Sequence, residues 1–114
     1  RVAAFLAGAE GLGASASEWS AFDWELHRLL AIASGNPVYV LILNGFRELF
    51  ARMARLYFER PAAREASRAF YEALRAAAAA GDAPRAENVT RGVMTRSVAL
   101  WKPLEKRLAE EMAP

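Results

Sequence analysis

The chain contains no cysteine. Disulfides, thiolate metal sites and cysteine nucleophiles are therefore excluded. It has a single histidine, His27, whereas a first-row metal site normally draws on about three or more protein ligands. Charge of one sign is lacking as well. Fifteen basic and thirteen acidic residues leave a formal net charge of +2, so no strong polyanion field follows and nucleic-acid binding by this segment itself is not expected. The longest strongly apolar run, Val38 to Leu43, is far too short to span a bilayer. There is no starting Met: Arg1-Val2-Ala3-Ala4-Phe5-Leu6 opens inside a helical pattern. It reads as part of a longer chain rather than as a signal peptide. Internal repeats, metal-spaced clusters and Gly-rich phosphate loops are also missing, and β signals are sparse.

What is present is helix. A length of 114 residues suits one domain, and 54% hydrophobic with 25% charged residues is a globular composition with a real core. Val2 to Glu10 reads as a short helix closed by Gly11 and Gly13. Ser15-Ala16-Ser17-Glu18 fits a capping box opening a helix to about Ala33, with Trp19, Phe22, Leu26, Leu29 and Ala33 on one face. Ser34-Gly35 ends it, and Asn36-Pro37 caps and starts the next. That third helix is expected to run unbroken from Pro37 to about Glu59. It carries two apolar stripes, Ile42, Phe46, Leu49, Met53, Leu56 and Tyr39, Leu43, Phe50, Tyr57, so it reads as a central helix packed on several sides. After Pro61 a fourth helix reaches Ala80, with Ala66, Phe70, Ala73, Leu74 and Ala77 inward. Gly81-Asp82 is a stop and a cap. The last helix starts near Ala83, carries Val89, Val93, Leu100, Leu104 and Leu108, and should kink at Pro103.

Asp23 and His27 stand four apart and can meet on one helix face. Three roles fit that spacing: a surface or structural pair, part of a ligand pocket, or two metal ligands. Ser97 lies in the stripe Met94, Ser97, Trp101, Leu104, Leu108. Its hydroxyl either bonds a carbonyl one turn back or faces an internal cavity that Trp101 also walls. Tyr57 and Tyr71 fall on otherwise apolar faces. With Ser97, Asp23, His27 and Asn44 they form a polar set in a small helical core, the general signature of a small-molecule pocket. No catalytic constellation is visible: there is no second histidine and no nucleophile beside a base.

The stretch Phe22-Asp23-Trp24-Glu25-Leu26-His27-Arg28-Leu29-Leu30, followed by Ala33-Ser34-Gly35-Asn36-Pro37, is similar to the signature of the FadR-type C-terminal domain of GntR-superfamily transcription regulators. The likeness continues through Leu41-Ile42-Leu43-Asn44-Gly45-Phe46, Tyr57-Phe58, Phe70-Tyr71, Gly81-Asp82 and the Ser97 to Trp101 segment. It implies an all-α fold, an antiparallel bundle of about five to seven helices enclosing an effector cavity. The whole of residues 1–114 would be one effector-binding and dimerisation domain of a cytoplasmic homodimer. Operator DNA would be bound only through an N-terminal winged helix-turn-helix that this chain does not contain. No enzyme activity, cofactor or membrane partner is expected.

Two branches of that family differ in chemistry. One binds a metal through Asp plus three His and senses small carboxylates. Asp23 and His27 match its first two positions, but Tyr71 and Val93 stand where imidazoles are expected, and neither replaces one as a ligand. The other branch lacks metal and binds acyl-CoA. The Asn36-Pro37 and Leu41 to Gly45 run and the Ser97, Trp101 pair resemble it most, and it carries over Phe50, Tyr57, Tyr71, Ser97 and Trp101 as pocket residues. His27 departs from its more apolar pattern. The expected effector is thus an acyl-CoA or fatty acid and the expected bound metal is none. A small organic acid, metal-assisted or not, is the first alternative, and a purely structural dimerisation bundle is the second. A helical hydrolase or lyase is opposed by the lone histidine and missing cysteine.

Overall fold

Capping residues set the helix boundaries. Ser15 Oγ accepts from Glu18 N at 3.4 Å, Asn36 Oδ1 from Val38 N at 3.0 Å and Asp82 Oδ1 from Arg85 N at 3.1 Å, each covering a free N–H of a first turn. Gly35 and Gly81 adopt left-handed φ values of 73° and 65°, where a side chain is disfavoured. The Asp82 N–H folds back to the Ala77 carbonyl at 3.0 Å, closing the helix before it. In the computed structural model, which describes residues 1–113, these signals delimit seven α-helices. They are α1 (Val2–Leu6), α2 (Ala16–Ala33), α3 (Pro37–Gly45), α4 (Arg47–Phe58), α5 (Pro61–Ala79), α6 (Ala83–Trp101) and α7 (Glu105–Glu111). Short 3-10 segments follow α1 at Ala7–Gly11 and α6 at Lys102–Leu104. No strand occurs among the described residues, and the fold is all-α.

Neighbouring helices run antiparallel. Trp19 stacks on Phe58 and Trp24 meets Phe50, so the start of α2 lies by the end of α4. Arg60, just before α5, donates from Nη1 to the carbonyl of Leu100, near the end of α6, at 3.1 Å. The core lies where α2, α4 and α5 meet, and its fully buried large side chains are Trp19, Tyr71, Leu26 and Leu56. Trp19 Nε1 donates to the Gly13 carbonyl at 2.8 Å, satisfying the one polar atom of a buried indole. Arg68 of α5 fastens the N-terminal segment. Its guanidinium lies 5.0 Å over the Trp19 ring and donates to the carbonyls of Ala9 at 3.0 Å and Leu12 at 2.8 Å.

The structure corrects three expectations. The helix foreseen from Pro37 to Glu59 is two helices, broken at Phe46 (φ −102°, ψ 7°), whose N–H bonds the Leu43 carbonyl three residues back at 3.0 Å. Gly45 at the junction is a weak helix former, about 1 kcal/mol worse than Ala, and lets the axis turn. In consequence α3 is not central. None of its residues is buried, its main neighbours are α2 and α4, and Leu41 is 70% exposed. Finally, the first helix stops at Leu6 and tightens into the 3-10 turn rather than continuing to Glu10. At the other end Pro103 acts as foreseen: α6 gives way to a 3-10 turn before α7.

Candidate functional site

Four helices converge on a cavity of about 370 Å³. From α2 come Asp23 and His27; from α4, Phe50, Met53, Ala54, Tyr57 and Phe58; from α5, Ser67 and Phe70; from α6, Val93, Met94, Ser97, Val98 and Trp101. Each set follows helical spacing: 23 and 27 on α2, 50, 53, 54 and 57 on α4, 93, 94, 97 and 101 on α6. The walls are aromatic and aliphatic. Asp23, His27 and Ser67 mark a polar corner where α2 faces α5, while Tyr57 and Ser97 add hydroxyls from α4 and α6.

That corner is a chain of hydrogen bonds. The Tyr71 hydroxyl donates to Asp23 Oδ1 at 2.6 Å, and His27 Nε2 approaches Asp23 Oδ2 at 3.2 Å. Both Asp23 oxygens are thereby engaged. Burial opposes protonation of His27, but the hydrogen bond and negative charge of Asp23 outweigh it and hold the imidazole above its ordinary 6.5. Burial, then the Asp23 charge and hydrogen bond, push the Tyr71 phenol far up, against the Ser67 hydroxyl beside it. Tyr57 is raised by burial and by the Asp23 charge, with Arg96 pulling the other way. Both phenols therefore stay neutral donors at physiological pH. His27 also sets its ring edge-on to Phe50, centroids 5.4 Å apart, which fixes its orientation.

Asp23, His27, Phe50, Tyr57, Ser97 and Trp101 all line the cavity. Tyr71 does not: it is fully buried behind Asp23 and holds the carboxylate from outside the lining. Asn44 lies on the exposed α3, away from the cavity. Ser97 meets both descriptions given for it, since its hydroxyl donates to the Met94 carbonyl at 2.9 Å while the residue forms part of the wall. Trp101 stands at the last turn of α6, where Pro103 ends the helix. The sequence reading passed over Ser67, Met53, Phe70 and Met94 as lining residues. Ser67 carried a usable signal: it sits four residues from both Ala63 and Tyr71 on the buried stripe of α5, and such a hydroxyl needs a polar neighbour. Asp23, His27, Tyr71 and Val93 do cluster, but among the described residues no three His, Cys, Asp or Glu side chains are placed to hold a metal ion.

An all-helical bundle with an open cavity of small-molecule size in its side, largely apolar with a polar corner, is the class of protein these features define. The chain belongs to the FadR C-terminal domain family, whose model matches residues 1–113. It is 39% identical over 112 residues to the fatty acid metabolism regulator protein of Shewanella frigidimarina, covering 98% of this chain and 47% of that protein. The regulator of the same name from Edwardsiella ictaluri is 36% identical over 113 residues, covering 99% and 47%. The one from Escherichia coli O1:K1 is 35% identical over 108 residues, covering 95% and 45%. The chain thus spans about half the length of the curated relatives it matches. No helix among the described residues is long and apolar enough to cross a membrane.

Proposed function

We propose that this domain is the effector-sensing part of a transcription regulator of fatty acid metabolism, and that its effector is a long acyl chain joined to its carrier through an uncharged thioester, as in an acyl-CoA. The observation that carries this is the composition of the cavity wall. Its only ionisable carboxylate and imidazole, Asp23 and His27, are already paired, and no Arg or Lys lines it. A small organic acid would face Asp23 with no free cation to neutralise it, whereas methylenes suit Phe50, Met53, Phe70, Met94 and Val98. The volume of about 370 Å³ falls within the roughly 300–1,000 Å³ of small-molecule sites. Neither serine of the lining is hydrogen-bonded to His27 among the described residues, which favours binding over nucleophilic catalysis.

In this reading ligand shifts the bundle between two arrangements and so reorients DNA-binding domains lying outside this chain. Trp101 is placed to report occupancy, because it ends α6 just ahead of the Pro103 break. The same reading makes the protein a cytoplasmic homodimer. No charged residue occurs from Ala31 to Phe46, and Val38, Tyr39, Leu41 and Ile42 are exposed there. A second copy related by two-fold symmetry would meet no like charge on that face.

The experiment is calorimetric titration of an acyl-CoA series and of free fatty acids. Affinity should rise by about 0.8 kcal/mol per methylene until the cavity is full. Ser97→Ala should cost on the order of 1 kcal/mol of binding, and Trp101→Ala more, in protein shown to be folded. Absence of binding at every chain length, or indifference to both substitutions, overturns the reading.

A further inference from the structure

A second groove, of about 430 Å³, lies on the far side of Phe50, between α2 and α4. It plays no part in the cavity just described, yet Phe50 is a wall of both. Its lining is of a different kind. α4 contributes Arg47, Arg52 and Arg55; α2 contributes Ser17, Ser20 and Trp24; Ala21 and Ala51 leave the floor open. No carboxylate lines it. Arg55 is ion-paired, to Glu111 of α7, which stands outside the lining. Arg47 and Arg52 have no carboxylate within ion-pair distance among the described residues. Arg47 instead lies over the Trp24 ring, 5.8 Å from its centroid, and Trp24 and Phe50 form a tilted aromatic pair with centroids 5.2 Å apart.

Three guanidinium groups thus border one groove in a chain whose net charge is only +2. Charge of that density calls for an anion, and planar N–H forks match phosphate oxygens bidentately. The aromatic edge calls for a flat partner, since a ring stacks on an indole and on a guanidinium alike. The bounded volume fits a small molecule rather than the length of a polyanionic macromolecule. We propose that this groove is a second ligand site, taking the phosphoryl groups of a nucleoside diphosphate on Arg47 and Arg52 with the base laid along Trp24. For a free nucleotide this is independent of the acyl-chain reading of the first cavity; for a carrier end it rests on that reading. The diphosphate has two chemical sources, a free nucleotide or the phosphorylated end of a carrier whose acyl chain lies beyond Phe50.

The test titrates the chain with ADP, inorganic pyrophosphate, adenosine and coenzyme A, by calorimetry and tryptophan fluorescence. ADP should bind and quench, with affinity falling as salt rises. Pyrophosphate should bind more weakly and adenosine least. Arg47→Gln and Arg52→Gln, both at exposed positions, should each weaken ADP about tenfold, as loss of a charge-assisted pair does. Trp24→Phe should remove most of the quench. ADP competing with an acyl-CoA, together with Arg52→Gln weakening acyl-CoA but not free fatty acid, assigns the site to the carrier end. ADP and acyl-CoA binding side by side assigns it to a free nucleotide. Failure of both ADP and pyrophosphate to bind at millimolar concentration overturns the proposal, as does binding unchanged in both arginine variants. Free fatty acid titrations read the first cavity alone, so the two readings fail separately.

Discussion

Replacing Tyr71 by Phe removes the hydroxyl that holds Asp23 and has the Ser67 hydroxyl beside it. The ring stays among Trp19, Phe22 and Phe70, whose centroids lie 6.0, 5.0 and 5.8 Å away, so packing is retained and only the hydroxyl is lost. That hydroxyl donates to Asp23 Oδ1 at 2.6 Å. A bond to a charged group contributes about 1.5–3 kcal/mol. Two features place this one toward the lower end. Asp23 keeps His27 as a second partner, and its side chain is 19% exposed, so water can replace the lost donor. The expected loss is about 1–2 kcal/mol in equilibrium urea unfolding, with an unchanged m value because the exposed surface is the same. Calorimetry should show a melting temperature lower by several degrees. A Tyr71→Phe protein within about 0.3 kcal/mol of wild type would refute the reasoning, because that is below the least cost of removing a bond of this kind.

The His27 pair should be pH-dependent in a fixed direction. The folded-state pKa is raised above 6.5, so the stability it contributes is fully present below that value and is lost as pH rises through the folded value. The gap between wild type and His27→Gln should therefore narrow from acid to alkaline pH; a gap that widens contradicts the geometry. Arg68→Met keeps the aliphatic stem but removes two carbonyl contacts and the cation over Trp19. It should destabilise by about 2–3 kcal/mol, and hydrogen exchange should quicken first around Leu6 to Leu12. If the exposed face of α3 joins two copies, Leu41→Glu should give a monomer in analytical ultracentrifugation with an unchanged helical spectrum. A wild-type monomer at tens of micromolar would end that idea.

Helix boundaries were legible wherever a side chain or glycine declares them. Asn36-Pro37, Gly81-Asp82 and Ser15 act through contacts within a few residues, so local chemistry decides them. The break at Phe46 was not legible, because the apolar stripes continue across it. Two stripes on one segment predicted a helix surrounded by neighbours, while the fold gives the first half of that segment chiefly α2 and α4 to lean on. The cavity was partly legible. Asp23, His27, Ser97 and Trp101 stand out as polar or bulky residues on apolar faces, and helical spacing alone aligns them within α2 and α6. Whether two such faces meet depends on packing between helices, which no spacing within one helix reports. Hence Asn44 was grouped with residues it does not approach, and Tyr71 was placed on the wall although it stands behind it. The arginine groove was missed for a related reason. Arg47, Arg52 and Arg55 form no site within α4 by themselves, and it is residues of the neighbouring helix, Trp24 among them, that turn them into a concavity.

The junction at Gly45 and Phe46 also divides the molecule's response to fluctuation. A continuous helix propagates order along its hydrogen bonds, so loosening one end strains the other. Here the ladder is interrupted between a nine-residue α3 with no buried residue and a twelve-residue α4 that buries Ala54, Leu56 and Phe58. In a single copy the first can open as a unit of its own, at low cost, while the second keeps the cavity wall in place. Amide protons from Val40 to Gly45 should then exchange on a faster clock than those from Ala54 to Phe58. Slow rearrangements on the outer face would leave Phe50, Met53 and Tyr57 where they stand.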